Sequence, residues 1–107
     1  MRLEEAKLIA ERVKETLSPH CDRIEITGSI RRGKPLVHDI DIVMIPKPGE
    51  DLVLSSLLCS IGTIELDGPK IKRVRLSKEN IAIDIYLATQ ATWATLLLIR
   101  RAVLSII

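Results

Sequence analysis

The segment Asp39-Ile40-Asp41-Ile42-Val43-Met44-Ile45 predicts a β-strand that carries two carboxylates on one face. Successive side chains of a strand point to opposite faces of the sheet, so Asp39 and Asp41 share one face and the isoleucines share the other. The apolar face belongs in the core. Two carboxylates about 7 Å apart repel each other unless a cation lies between them. Taken alone, the pair fits a solvated polar face or a cation site.

A third carboxylate interrupts a later apolar strand, which we predict over residues 81–87. Asp84 alternates there with isoleucines, so its side chain faces away from theirs. Acidic residues are poor strand formers. Asp84 therefore fits either the exposed face of a half-buried sheet or a third ligand beside Asp39 and Asp41. Three carboxylates would supply the hard oxygen ligands that suit Mg²⁺.

The segment Gly28-Ser29-Ile30-Arg31-Arg32-Gly33 directly follows a short strand predicted at residues 23–27. Gly28 lets the backbone approach a ligand closely. Ser29 offers a hydroxyl and a backbone N–H, and the arginines offer guanidinium groups that match phosphate oxygens. A basic surface turn would have the same composition. Together with the three carboxylates, the segment completes the set of groups used in two-metal phosphoryl transfer.

These motifs resemble the signature of the nucleotidyltransferase superfamily, with Asp39 ten residues after Ser29 and Asp84 43 residues after Asp41. The Gly-Ser-x-Arg-Arg-Gly form is similar to that of family X DNA polymerases, the polymerase β type. Trp93-Ala94-Thr95-Leu96-Leu97-Leu98 is similar to the helix after the last palm strand of that family. The resemblance covers residues from about 22 to 99, the catalytic palm.

The resemblance implies a site with two Mg²⁺ or Mn²⁺ ions. Asp39 and Asp41 would bind both ions, and Asp84 would bind the catalytic ion and help to activate a primer 3′-hydroxyl. Ser29 and Arg32 would hold the β- and γ-phosphates of a nucleoside triphosphate.

Two further residues belong to the implied nucleotide site, Gly28 and His38. The family usually has glycine at the position of His38, and the N–H of that glycine faces the phosphate. The imidazole of His38 would therefore crowd the triphosphate or contact it. A structural or incidental role for His38 is the alternative. Arg31 has the less certain role, because the matching arginine is often structural. Ala82 replaces a residue that is often basic in the polymerases.

The strand Ile71-Lys72-Arg73-Val74-Arg75 is rich in positive charge. The resemblance implies that this region lies near a DNA primer-template. Lys70, Lys72 and Arg73 would then contact phosphates without reading sequence, and the binding would weaken with salt. A solubilising edge strand is the alternative.

The chain is expected to form one α+β domain over residues 1–107. An amphipathic helix at residues 3–17 precedes the β, β, α, β, β, β, α order of the remainder. The fold class is a small mixed sheet of about five strands with helices packed on one face, a nucleotidyltransferase fold like the polymerase β palm. The predicted elements cover residues 3–17, 23–27, 39–45, 50–61, 63–66, 71–76, 81–87 and 91 to the end.

Composition adds weaker constraints. The 107 residues are 47% hydrophobic and 28% charged, which is typical of a globular domain, and the net charge of +2 is too small to indicate nucleic-acid binding by itself. Aromatic residues make up only 2%, which disfavours a base-stacking platform. Cys21 and Cys59 are expected to be reduced, partly buried thiols in a cytoplasmic protein, with a single disulfide as the alternative. We expect no leader, because the N-terminus has no apolar signal segment. We also expect no membrane span, because Arg100 and Arg101 interrupt the longest apolar run.

The end of the sequence departs from family X, which continues with a Thr-Gly-Ser turn and a thumb. We expect no thumb and no lyase domain here. Residues 99–107 are largely apolar, which predicts a homodimer or protein-partner surface at the C-terminal helix. A fragment of a longer polymerase-like protein is the other interpretation.

Three functions fit these observations. The first is a minimal polymerase-like enzyme that adds a nucleotide to a nucleic-acid 3′-hydroxyl. The second is a small nucleotidyltransferase of antitoxin type that modifies a protein, although such proteins usually have a small residue where this chain has Arg31. The third is a non-catalytic module that binds nucleic acid or a partner, which the retention of Ser29 and three acids disfavours.

Overall fold

The computed structural model describes residues 1–101 and contains four helices and five strands within them. The helices are α1 (Leu3–Leu17), α2 (Gly28–Arg31), α3 (Asp51–Ile61) and α4 (Trp93–Arg101), and a short 3-10 turn (Ser18–His20) follows α1. The strands are β1 (Cys21–Thr27), β2 (Asp39–Pro46), β3 (Thr63–Asp67), β4 (Ile71–Leu76) and β5 (Ile81–Leu87). This order confirms the predicted succession of elements within the described residues, and the Gly-Ser segment forms the single helical turn α2.

The five strands form one mixed sheet in the order β1-β2-β5-β4-β3. The central pair, β2 and β5, is parallel, and the other three pairs are antiparallel. Parallel neighbours need a crossover connection. Here the chain makes it through α3 and the β3–β4 hairpin, which places the two acid-bearing strands side by side.

The main core lies between the sheet and the two longest helices. Ile40, Ile42 and Met44 of β2 and Ile83 and Ile85 of β5 are all fully buried on this face. They pack with apolar side chains of α1 and α3 in one cluster, which includes Ala6, Ile9, Ala10, Val13, Leu17, Leu54 and Leu58. Aliphatic residues supply this core, as the low aromatic content requires.

Helix α4 packs on the opposite face, a detail that differs from the prediction of helices on one face. Val43 and Ile45 follow the two acids on the same side of β2 and are buried against Ala88 and Trp93. The second half of β2 is therefore apolar on both faces of the sheet. A second layer of structure is needed to cover the face opposite the main core. The two carboxylates in the first half of that face, Asp39 and Asp41, are only partly buried.

Several expectations concern the chain as a whole. Both cysteines are free thiols, as predicted, and Cys21 is buried, but Cys59 is exposed instead of partly buried. No helix within residues 1–101 is long and apolar enough to cross a membrane. The last part of the predicted C-terminal helix, and with it most of the proposed dimer surface, lies outside the described residues.

Candidate active site

The site is built on a row of four side chains that crosses the sheet. Strand pairing sets Thr27 of β1 opposite Asp41 of β2, Asp41 opposite Asp84 of β5, and Asp84 opposite Arg73 of β4. Residues that are paired across strands share a face. Neighbouring strands lie about 4.8 Å apart, so the two paired carboxylates are close neighbours. Asp39, two residues before Asp41, belongs to the same face.

Arg73 connects two of the three acids. Its Nη1 donates to both carboxylate oxygens of Asp84 at 2.9 and 3.0 Å, and its Nη2 donates to Asp39 at 3.3 Å. Its Nε lies 3.4 Å from Glu65. The Asp84 side chain is 10% exposed and that of Asp39 is 43% exposed. The structure thus brings the three predicted acids to one face and adds a cation to them.

Burial and charge repulsion raise the proton affinity of two of these acids, Asp41 and Asp84. Burial, followed by the charges of Asp84 and Asp39, raises the pKa of Asp41 from 3.8 to about 6, although Arg100 and Arg32 oppose the rise. Burial also raises the pKa of Asp84, against the lowering effect of Arg73. Carboxylates are held here at a cost in free energy, which is typical of a functional site.

Gly28 lies directly against Asp41. Its φ is +69°, a left-handed conformation that favours glycine. A Cβ at this position would lie 2.1 Å from Oδ2 of Asp41, too close for any other residue to fit without movement. The Gly28 backbone therefore brings α2 onto the carboxylate. Ser29 is half-buried beside it, and Arg32 is exposed at the end of the turn.

Sequence reasoning missed one part of this region, a stacked pair on the same face. The guanidinium of Arg100 in α4 lies 4.0 Å from the ring centroid of Tyr86, two residues after Asp84. Its Nε is buried and makes no hydrogen bond within residues 1–101. Alternation predicts that Tyr86 shares the face of Asp84, as the structure shows, but only the packing of α4 shows that Arg100 reaches it.

The remaining predicted residues lie elsewhere. His38 is exposed and lines a cleft with Met1, Glu5 and Asn80. Lys70 is exposed. Lys72 pairs with Asp67 of the hairpin and, by alternation, belongs to the sheet face opposite Arg73. The structure does not gather the three basic residues of the hairpin on one surface.

The donor set suits a hard divalent cation, because three carboxylates share one face of the sheet and the charges of Asp84 and Asp39 raise the pKa of Asp41. Within residues 1–101, however, no three carboxylate, imidazole or thiol groups are gathered as a ready-made metal site. Arg73 holds Asp39 and Asp84 in the present arrangement. In their chemistry, Asp39, Asp41 and Asp84 fit a divalent cation.

Comparison with known proteins identifies the fold. The chain is similar to Leishmania infantum polymerase beta in two structures. In a ternary gap complex it matches with a TM-score of 0.73 and 19% identity, over 97% of this chain and 43% of that chain. In a ternary P/T complex the TM-score is 0.68 with 19% identity, over 97% and 48%. This chain has a polymerase β-like nucleotidyltransferase fold.

A third structure widens the comparison. A STING-associated CdnE c-di-GMP synthase from Capnocytophaga granulosa matches with a TM-score of 0.58 and 21% identity, over 80% of this chain and 32% of that chain. The chain spans less than half the length of each of the three proteins. No protein-family model matches the sequence, and no curated protein sequence matches it. The likeness is therefore one of fold.

Proposed function

We propose that this chain is a nucleotidyltransferase of the polymerase X type. It transfers a nucleoside monophosphate from a nucleoside triphosphate to the 3′-hydroxyl of a nucleic acid, with a DNA primer-template as the acceptor. The observation that carries the proposal is the packing of the Gly28 turn directly on Asp41, in the same cross-strand row as Asp84. The turn proposed to bind phosphate is thus held against the carboxylates, an arrangement that suits a transfer reaction on a triphosphate.

The reaction exchanges the phosphoanhydride bond between the α- and β-phosphates for a phosphodiester bond. The 3′-oxygen attacks the α-phosphorus, the bond from that phosphorus to the oxygen bridging to the β-phosphorus breaks, and pyrophosphate leaves with the bonding electrons. Asp39, Asp41 and Asp84 would hold two divalent cations, Mg²⁺ or Mn²⁺, whose charge lowers the pKa of the attacking hydroxyl and neutralises the departing pyrophosphate. Asp84, the most buried of the three, would orient the 3′-hydroxyl and receive its proton at a carboxylate oxygen.

The triphosphate would lie along the α2 turn. Gly28 has no side chain between its backbone and the acids, and Ser29 follows with a hydroxyl and an N–H. Arg32 is exposed, and its charge already acts on Asp41. A guanidinium in this place suits the β- and γ-phosphates, since it presents several donors to phosphate oxygens.

Nucleic acid would approach from the β4 side of the site. Lys70 is exposed in the loop that joins β3 to β4. Contacts from such residues go to phosphates, so the expected binding does not depend on base sequence and weakens as salt rises.

A labelling assay tests the proposal. The purified chain is incubated with each α-labelled dNTP and NTP, Mg²⁺ or Mn²⁺, and a primed DNA template. Asp84→Asn is the inactive variant, and Glu65→Gln is its matched control, because Glu65 also contacts Arg73 but lies outside the three acids.

We expect label at the primer 3′ end with the wild type and with Glu65→Gln, and a loss of at least a hundredfold with Asp84→Asn, typical of a group that acts on the transition state. Label on protein instead of on the primer would refute the nucleic-acid acceptor and show that the acceptor is a protein. Equal transfer by Asp84→Asn, or no transfer by the wild type, would refute the proposal.

A further inference from the structure

The guanidinium of Arg73 is fully engaged by carboxylates. Each of its three nitrogens faces a different acid: Nη1 faces Asp84, Nη2 faces Asp39 and Nε faces Glu65. The side chain is only 32% exposed, so these contacts are partly shielded from solvent. Charge-assisted hydrogen bonds in such surroundings are among the stronger polar contacts in proteins.

The arginine two residues further along β4 shows what is specific to Arg73. Arg75 lies on the same sheet face and is exposed to a similar degree, 38%. Its Nε donates to Glu65 alone, at 2.8 Å. Arg73 is therefore the arginine of β4 that donates hydrogen bonds to two of the acids proposed as metal ligands.

A guanidinium and a divalent cation compete for the same carboxylate oxygens. Both oxygens of Asp84 accept from Nη1, and Asp39 accepts through Oδ1. A divalent ion bound to these acids would also lie within a few ångströms of the guanidinium, where like charges repel strongly in a partly buried place. The two cations are thus alternatives at Asp84.

We propose that Arg73 is a built-in counter-ion that closes the acid site in the metal-free chain and is displaced from Asp39 and Asp84 when a divalent cation binds. This inference rests on the proposed function in taking these acids as metal ligands. It adds that Arg73 occupies oxygens of Asp39 and Asp84 that a divalent cation would use, so the affinity for the cation is lower than the acids alone would give.

Mn²⁺ binding to the full chain tests this inference without any reaction. Free Mn²⁺ is measured by electron paramagnetic resonance during titration of the wild type, Arg73→Met, the matched control Arg75→Met, and Asp84→Asn. We expect Arg73→Met to bind Mn²⁺ about tenfold or more tightly than the wild type, since a charge-assisted contact no longer has to be broken. Arg75→Met should stay within about twofold of the wild type, because Arg75 does not contact the three acids.

The outcomes separate the two proposals. If Asp84→Asn binds Mn²⁺ as the wild type does, the acids are not the ligands and the proposed function loses its basis. If Asp84→Asn loses binding while Arg73→Met binds no more tightly than the wild type, the counter-ion role alone is refuted, and Arg73 serves to position the acids.

A second measurement on the wild type covers the case in which Arg73→Met fails to fold. Arginine Nη–Hη signals, which report the contacts of Arg73 with Asp84 and Asp39, are followed by nuclear magnetic resonance as Mg²⁺ is added. Displacement predicts that the Arg73 signal moves and exchanges faster with water, while the Arg75 signal stays in place. An Arg73 signal that is unchanged at saturating Mg²⁺ would overturn the inference.

Discussion

Replacing Asp41 with asparagine should stabilise the metal-free protein at neutral pH while it removes a proposed ligand. Asp41 is half-buried between Asp84 and Asp39, and this raises its pKa from 3.8 to about 6 against the opposing charges of Arg100 and Arg32. The ionised carboxylate therefore destabilises the fold. Asparagine has nearly the same shape, keeps the close approach to the glycine turn and carries no charge.

The expected gain can be worked out from the pKa of Asp41. A rise from 3.8 to about 6 corresponds to about 3 kcal/mol, at about 1.4 kcal/mol per tenfold change in proton affinity. Solvent screening at a half-buried position reduces this to about 2 kcal/mol. For a chain of this length, that raises the melting temperature by about 10 °C.

The sign of the pH dependence follows from proton linkage. Between pH 4 and pH 6 the folded state binds more protons at Asp41 than the unfolded state, so the stability of the wild type falls as pH rises through this window. Above about pH 6 the full cost is present. Below about pH 4 both states are protonated, and the wild type and the Asp41→Asn variant should be equally stable.

Urea denaturation in EDTA from pH 4 to pH 8 measures this difference directly. Asp22→Asn serves as the control, because Asp22 is an exposed acid at the start of β1, away from the site. The control should show no gain. An Asp41→Asn variant that is equally stable or less stable than the wild type at pH 7.5 would refute the reasoning that the three acids repel one another in the folded chain.

Three further predictions concern single residues. Gly28→Ala should lower the free energy of unfolding by about 2 kcal/mol or more in urea denaturation, because φ is positive and the new Cβ meets Asp41; an unchanged midpoint would contradict this contact. Ile42→Ala should cost about 2–5 kcal/mol in the same assay, since the side chain is fully buried, and a loss below 1 kcal/mol would argue against the packing of β2. At pH 8, iodoacetamide should modify exposed Cys59 and leave Cys21 intact, because burial raises the pKa of Cys21 to about 11; equal modification in mass spectrometry would be inconsistent with the buried thiol.

Much of the fold was predictable because β2 and β5 have simple alternating patterns. The period of two placed Asp39 and Asp41 on one face and the isoleucines in the core, and the structure confirms both assignments. The strands predicted at residues 63–66 and 71–76 are also present and form an antiparallel pair. The side of the sheet chosen by α4 was not predictable from periodicity, since it depends on two apolar residues of β2 that look like ordinary strand residues.

The residues that make up the site were predictable from the sequence, but the strand pairing that brings them together was less so. Alternation predicts that Asp84 faces away from its isoleucine neighbours, but not that Asp41 lies opposite it, because strand order and register are long-range properties. The resemblance implied that Arg73 contacts a phosphate. The strand register, which local sequence patterns do not give, places Arg73 opposite Asp84. The stack of Arg100 on Tyr86 depends on tertiary packing that no local pattern encodes.

Anomalous diffraction from crystals of the full chain grown with Mn²⁺ and a non-hydrolysable nucleoside triphosphate tests the central claim most directly. The account predicts Mn²⁺ peaks within ligand distance of Asp39, Asp41 and Asp84, with the triphosphate along the turn at Gly28 and Ser29. Mn²⁺ bound away from these acids, or a triphosphate bound elsewhere on the chain, would contradict the assignment of this row of side chains as a nucleotidyl-transfer site.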